Sequence, residues 1–130
     1  MTEKRPIVVL VDDDPFVVEG LVAILRREPY RVVGLTSPHA VLRLLEEERV
    51  EVIVSDEQMP QMNGTTLFHR VRQAWPQVAR IMLTGHADMD LAMRAFDVGD
   101  IHRFLLKPCN PPELMAAIRE GLALQLAKTG

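Results

Sequence analysis

Three carboxylates, one hydroxyl and one ammonium group stand at the ends of apolar runs in this chain. Asp12 and Asp13 follow Ile7–Val11, Asp56 closes a run through Val52, Ile53 and Val54, Thr84 follows Val78–Leu83, and Lys107 follows Ile101–Leu106. Each has an ordinary structural reading on its own. An aspartate after a strand is a turn former or a helix cap, a threonine there satisfies a backbone group, and a lysine beside a proline is a solvated charge. Gathered in one place, the same groups would offer hard oxygen donors for a cation, a carboxylate nucleophile and two groups able to hold an anion. The choice depends on whether the elements carrying them end on a common edge.

Ile7–Val11 is five apolar residues in a row, four of them β-branched, as in a strand buried on both faces. Asp14 is placed as the cap of the next helix, with Pro15 at its first position and Val17, Leu21, Ile24 and Leu25 on its inner face. Tyr30–Leu35 reads as a second strand, and 37–48 as a helix capped by Ser37 with Val41, Leu44 and Leu45 inward. Val52, Ile53 and Val54 belong to a third strand that holds Asp56 at its tip. Pro60, Asn63 and Gly64 then turn the chain into a helix marked by Leu67, Val71 and Ala74. Val78–Leu83 is a fourth strand, followed by a helix with Leu91, Ala95 and Val98 inside. Ile101–Leu106 is a fifth, and Asn110 with Pro111 starts a last helix carrying Leu114, Ile118 and Leu122. Strand and helix alternate five times without a repeat or linker. The expected fold is α/β, a single-domain doubly wound five-stranded parallel sheet, flavodoxin-like in the order 2-1-3-4-5 with five helices. The domain spans 1–130, with a core from about 7 to 127.

In a parallel sheet every strand ends on the same edge, so Asp12, Asp13, Asp56, Thr84 and Lys107 converge there. Ligands bind such sheets beside the switch point, here between the first and third strands. At ~4 Å and an effective dielectric near 20, one like-charge pair costs on the order of 4 kcal/mol, so the cluster must raise pKa values or recruit a cation. Lys107 offsets one charge. With oxygen donors alone and no His or Cys, Mg2+ is the natural ion. A carboxylate beside that ion, with a lysine and a hydroxyl at hand, is suited to accept a phosphoryl group, and Asp56 would attack in line to form an acyl phosphate.

Composition narrows the classes. Hydrophobic residues make up 48 % and charged residues 25 %, ordinary for a globular chain. The net charge of -3, with no basic stripe, gives no reason for direct nucleic-acid binding. One cysteine, Cys109, excludes an internal disulfide framework, and the N-terminal MTEKRP leads into an apolar run too short for a signal peptide or membrane span. A cytoplasmic protein without membrane contact is expected. Glu46, Glu47, Glu48 and Arg49 read as a solvated helix end, His39, His69 and His102 as surface or partly buried side chains, and Met59 and Met62 as filler.

The chain closely resembles the receiver domain of bacterial two-component response regulators. The residues that carry the resemblance are VDDDP (Val11–Pro15), SDEQMPQMNG (Ser55–Gly64), MLTG (Met82–Gly85) and FLLKP (Phe104–Pro108), in order and each at a strand end. It implies that Asp56 is the site phosphorylated by a histidine kinase or phosphotransfer protein. It also implies that Asp12, Asp13, a carboxylate oxygen of Asp56 and the backbone carbonyl of Gln58 hold Mg2+, with Thr84 and Lys107 on the phosphoryl oxygens. By the same resemblance the Lys107-Pro108 bond is cis. The resemblance further implies that Thr84 and Phe104 form a switch that alters the surface of the fourth helix, fifth strand and fifth helix, and so controls an output domain or protein. The resemblance also implies that Gln58 and His86 influence how long the acyl phosphate lasts. Chemistry is confined to Mg2+-assisted self-phosphorylation and autodephosphorylation, so the domain is not an enzyme, and a phosphorylation-dependent dimer is one possible state.

Three positions depart from the pattern. Gly85 stands where alanine is common, Phe104 where tyrosine is frequent, and GDIHRF lacks the paired acidic pattern of receivers that dimerise to bind DNA. Two other functions compete. A receiver-like interaction module working without phosphorylation would keep the fold, although every pocket residue is present. An aspartyl-nucleophile phosphohydrolase would need a Gly-Thr turn after the first strand and a substrate cap, and neither stands in the sequence.

Overall fold

The runs of β-branched residues become strands and the capped amphipathic stretches between them become helices. In the computed structural model, which describes residues 5–129, the order is β1 (Ile7–Val11), α1 (Pro15–Leu25), β2 (Arg31–Leu35), α2 (Pro38–Glu47), β3 (Val50–Asp56), α3 (Gly64–Ala74) and β4 (Ala79–Thr84). A short 3-10 turn (His86–Asp88), α4 (Met89–Asp97), β5 (Arg103–Leu106) and α5 (Pro111–Thr129) complete it. The five strands form one parallel sheet in the order β2-β1-β3-β4-β5, the flavodoxin-like arrangement expected. Residues 1–4 and Gly130, included in the expected domain span, lie outside the described residues.

Side chains alternate across each strand and feed two cores. Val9, Val11, Ile53 and Met82 pack with Val41, Leu67, Phe68, Val71, Ala92 and Ala95 from α2, α3 and α4. Val8, Leu10, Val52, Val54, Ile81 and Leu105 pack with Leu25 of α1 and Leu114, Ala117 and Ile118 of α5. Met59 and Met62 are buried in the first of these cores. Pro15 and Pro38 sit at helix starts, with Asp14 and Ser37 accepting from the N–H groups of Phe16 and His39. No helix among the described residues is long and apolar enough to cross a membrane.

Two helices keep part of their expected faces, with Leu25 and Ala95 buried, and depart from the rest. Val17 and Ile24 of α1 are exposed, and Val18 and Leu25 are buried. The first half of α1 is apolar nearly all round, so its pattern leaves the face open. Gly34 of β2 decides it, because a Cβ there would lie 2.5 Å from Val18 Cγ1 and 3.0 Å from Val22 Cγ2, so only a glycine lets that side of α1 come so close. On α4, Leu91 and Val98 are exposed while the small Ala92 and Ala95 lie against the sheet, and Ala74, at the end of α3, is exposed. β5 begins two residues later than expected, at Arg103; just before it the His102 N–H donates to the Arg80 carbonyl at 2.7 Å while the His102 ring accepts from the Arg80 N–H at 2.9 Å. Arg80 is itself buried, and its guanidinium donates to the carbonyls of Pro76, Val78, Gly99 and Asp100. His39 and His69 are exposed and His102 is half-buried.

Tyr30 is buried in the α1/α5 core with its hydroxyl lacking a hydrogen-bond partner. Burial, then the neighbouring Glu28, push its pKa from 10.0 up to about 12. The unfolded chain therefore releases the phenolic proton first: this contribution to stability is complete below the unfolded pKa and is lost as pH rises through the folded one. Tyr30→Phe is expected to stay within about 1 kcal/mol of wild type at pH 7, because no bond is lost, and to lose this part of the alkaline decline. Denaturant titrations at neutral and strongly alkaline pH read both.

Candidate functional site

Register brings the carboxylates together. Val11 of β1 lies beside Ser55 of β3, so the next residues, Asp12 and Asp56, leave the sheet side by side. Asp56 lies beside Leu83, and Thr84 beside Leu106, which sets Lys107 one step beyond. Carboxylate oxygens of Asp12, Asp13 and Asp56 all fall within 4.8 Å of one another. Asp12 and Asp56 are buried and Asp13 is exposed at the mouth. Lys107 Nζ meets Asp56 Oδ1 at 2.6 Å, and the Lys107-Pro108 bond is cis.

That one ammonium leaves the cluster with an excess of negative charge. Burial first, then Asp56 and Asp13, raise the pKa of Asp12, while the Asp14 N–H, donated to Asp12 Oδ1 at 2.9 Å, and Lys107 act the other way. A pocket of hard oxygens with uncompensated charge fits a divalent cation of the Mg2+ type. Asp12, Asp13 and Asp56 are the side chains able to hold it.

The chain beyond Asp56 is held by two devices that the spacing of residues does not reveal. A Cβ on Gly64 would lie 2.5 Å from the Asp56 carbonyl oxygen and 3.1 Å from Glu57 Cα, so only glycine lets α3 start this close to the strand tip. Glu57, 1 % exposed, accepts from the Thr65 N–H at 2.8 Å and from its hydroxyl at 3.3 Å. It thereby caps α3 from outside, where Asn63 supplies no side-chain cap. Burial, with Asp88 and Asp56, raises its pKa against the Thr65 bonds. The sequence carries no sign of this role, because the bond spans a loop whose path is set by packing.

The remaining predicted residues have other partners. The Thr84 hydroxyl is buried and donates to the Gly85 carbonyl at 3.2 Å. Gln58 is exposed, and its Nε2 donates to Asp88 Oδ1 and Oδ2 at 3.1 and 3.0 Å. His86 is exposed on the 3-10 turn. Phe104 on β5 meets the half-exposed ring of Phe96 edge-on, with centroids 6.1 Å apart and planes at 79°. Asp88 and Phe96 are contacts that sequence reasoning missed.

Comparison with known proteins agrees with this geometry. The response regulator receiver domain family matches residues 8–119. The chain is 35 % identical over 122 residues to the transcriptional regulatory protein GlrR of Escherichia coli, covering 94 % of this chain and 27 % of GlrR. It is 30 % identical over 125 residues to the hydrogenase transcriptional regulatory protein HoxA of Cupriavidus necator, covering 96 % and 26 %. The chain thus spans about a quarter of the length of these relatives. Its backbone superposes with a TM-score of 0.89 and 33 % identity on the signal receiver domain of an HD domain-containing protein from Pseudomonas fluorescens, covering 99 % of this chain and 95 % of that one.

A raised carboxyl pKa stabilises the fold fully below the unfolded value and loses that contribution as pH rises through the folded one. Ionised Asp12 therefore weakens the metal-free fold at neutral pH. Asp12→Asn keeps an acceptor for the Asp14 N–H and is expected to raise the melting temperature at pH 7 in chelator by a few degrees, the scale of about 1 kcal/mol in a domain of this size. The gain should close as pH falls toward 3.8, the ordinary value for this group. Thermal melts across that range test it.

Proposed function

The chain belongs to the response regulator receiver domain family of two-component signalling, and on that premise we propose that it takes a phosphoryl group onto Asp56 and reports it through a change of conformation. The observation that carries this reading is the Asp12, Asp13 and Asp56 cluster with Lys107 against the Asp56 carboxylate. The phosphodonor would be a phosphohistidine of a histidine kinase or phosphotransfer protein. An Asp56 carboxylate oxygen attacks phosphorus in line, a P–O bond forms, and the P–N bond breaks with its electron pair left on the donor imidazole. Return is by attack of water on phosphorus, which frees inorganic phosphate and restores the carboxylate. This domain's own side chains carry both steps, with the phosphodonor and then water as co-reactants.

Asp12, Asp13, Asp56 and the Gln58 backbone carbonyl would hold Mg2+, which when bound neutralises charge on the phosphoryl oxygens. Lys107 leaves the Asp56 oxygen for a phosphoryl oxygen on the same side. Thr84 turns its hydroxyl from the Gly85 carbonyl to another phosphoryl oxygen. Phe104 moves in the space that Thr84 vacates, which alters its edge-on contact with Phe96 and hence the surface of α4, β5 and α5. An output domain, a separate protein or a second copy would read that surface. His86 and Gln58 at the mouth would set the lifetime of the acyl phosphate. Such a domain, extending over 1–130, would work in the cytoplasm.

Intact mass after incubation with Mg2+ and acetyl phosphate tests the reading. Wild type should gain one phosphoryl group, and Asp56→Asn or prior chelation should abolish the gain. A folded wild type that takes up nothing would favour an interaction module that works without phosphorylation. Lys107→Ala should leave Mg2+ affinity unchanged or tighter, because a competing cation leaves Asp56. It should nevertheless weaken the conformational response to phosphorylation, read by amide chemical shifts on α4 and β5. Collapse of metal affinity would remove Lys107 from the phosphoryl side of the site.

A further inference from the structure

The loop after β3 and the segment after β4 flank the pocket, and Gln58 bridges them by donating to both carboxylate oxygens of Asp88. Gln58 lies two residues beyond Asp56, and Asp88 four beyond Thr84. The Gly85 carbonyl links this bridge to the Thr84 hydroxyl. It accepts from Thr84 Oγ1 at 3.2 Å and from the Asp88 N–H at 3.1 Å. The Thr84 hydroxyl is therefore engaged by the same carbonyl that anchors the 3-10 turn, and Gln58 holds the side chain of that turn's last residue. Packing offers little other restraint here, since a Cβ on Gly85 would meet nothing within 4 Å, and His86 and Ala87 are exposed.

We propose that Asp88 is a positioning residue which, held by Gln58, keeps the Thr84 hydroxyl in its resting position and so sets how readily the domain switches. The proposal rests on the reading of Asp56 as phosphoacceptor. A contact made in the resting conformer and lost in the switched one biases the two populations by its own free energy, and a ligand selective for the switched conformer binds more tightly once the contact is gone.

The test uses Mg2+ with beryllofluoride, an unreactive mimic of the phosphoryl group, titrated into the full chain while the Thr84 and Gly85 amide resonances are followed. Gln58→Ala and Asp88→Ala should each tighten beryllofluoride binding by roughly three- to tenfold, the range of one net hydrogen bond, with the melting temperature of the unliganded chain lowered by no more than about a few degrees. The double variant should gain no more than either single one, since both break the same bridge. Asp88→Asn keeps an acceptor oxygen without the charge and should restore most of the wild-type affinity. Single effects that multiply in the double variant would overturn the bridge, as would Asp88→Asn matching Asp88→Ala, which would assign the effect to charge. Wild type that binds beryllofluoride with the same affinity as every variant would overturn the role of Asp88 and leave the phosphoacceptor reading standing. Failure of wild type itself to bind would remove both.

Discussion

Repulsion among carboxylates held at the tips of β1 and β3 is the constraint on which the rest of this domain depends. Three acidic side chains within 4.8 Å, with one lysine among them, are stable as neighbours only because a rigid parallel sheet leaves them no room to separate. Val11 beside Ser55 and Leu83 beside Asp56 are ladder pairs in the buried interior, so the strand tips cannot splay without breaking the core. The sheet thereby holds a local charge excess that a free chain would relax, and that excess is what suits the site to a cation. Stability and function pull against each other at Asp12, whose burial opposes its ionisation.

The same rigidity extends into the loops, by means other than strand pairing. Gly64 lets the first turn of α3 press against the Asp56 carbonyl, and Glu57 caps that turn through Thr65. The backbone on the far side of Asp56 is thus as firmly placed as the strand before it. The segment after β4 is held more lightly. Its restraints among the described residues are hydrogen bonds through the Gly85 carbonyl and the Gln58–Asp88 bridge, each of a strength that thermal motion can overcome. A firmly held carboxylate beside a lightly held hydroxyl is the arrangement that the proposed two-state reporter would need.

On the proposed reading, the edge-on pair of Phe104 and Phe96 would carry that difference outward. Phe104 packs against the sheet core, while Phe96 is half-exposed on α4 beside the exposed Met93. A shift of the inner ring must move or uncover the outer one. Because Phe104 has no hydroxyl, packing of rings and not a hydrogen bond would transmit such a change, and aromatic contacts of this kind contribute about 0.5–1.5 kcal/mol beyond burial.

The sequence by itself determined the strands, their parallel order and the five groups of the pocket, because consecutive β-branched runs can be buried only inside a sheet, and parallel strands must end together. Asp14, Ser37 and their following prolines were equally legible, since capping is local chemistry. Only the tertiary structure decided which faces of α1 and α4 turn inward. Their apolar residues run nearly all round or compete with alanines, and the choice fell to Gly34 and to the close packing of Ala92 and Ala95. It alone decided the partners of Glu57, Arg80, Gln58 and Phe104 as well. Those contacts join residues distant in sequence through loops whose course no periodicity records, and a hydrogen bond of 3 Å exists only where packing has already set both ends.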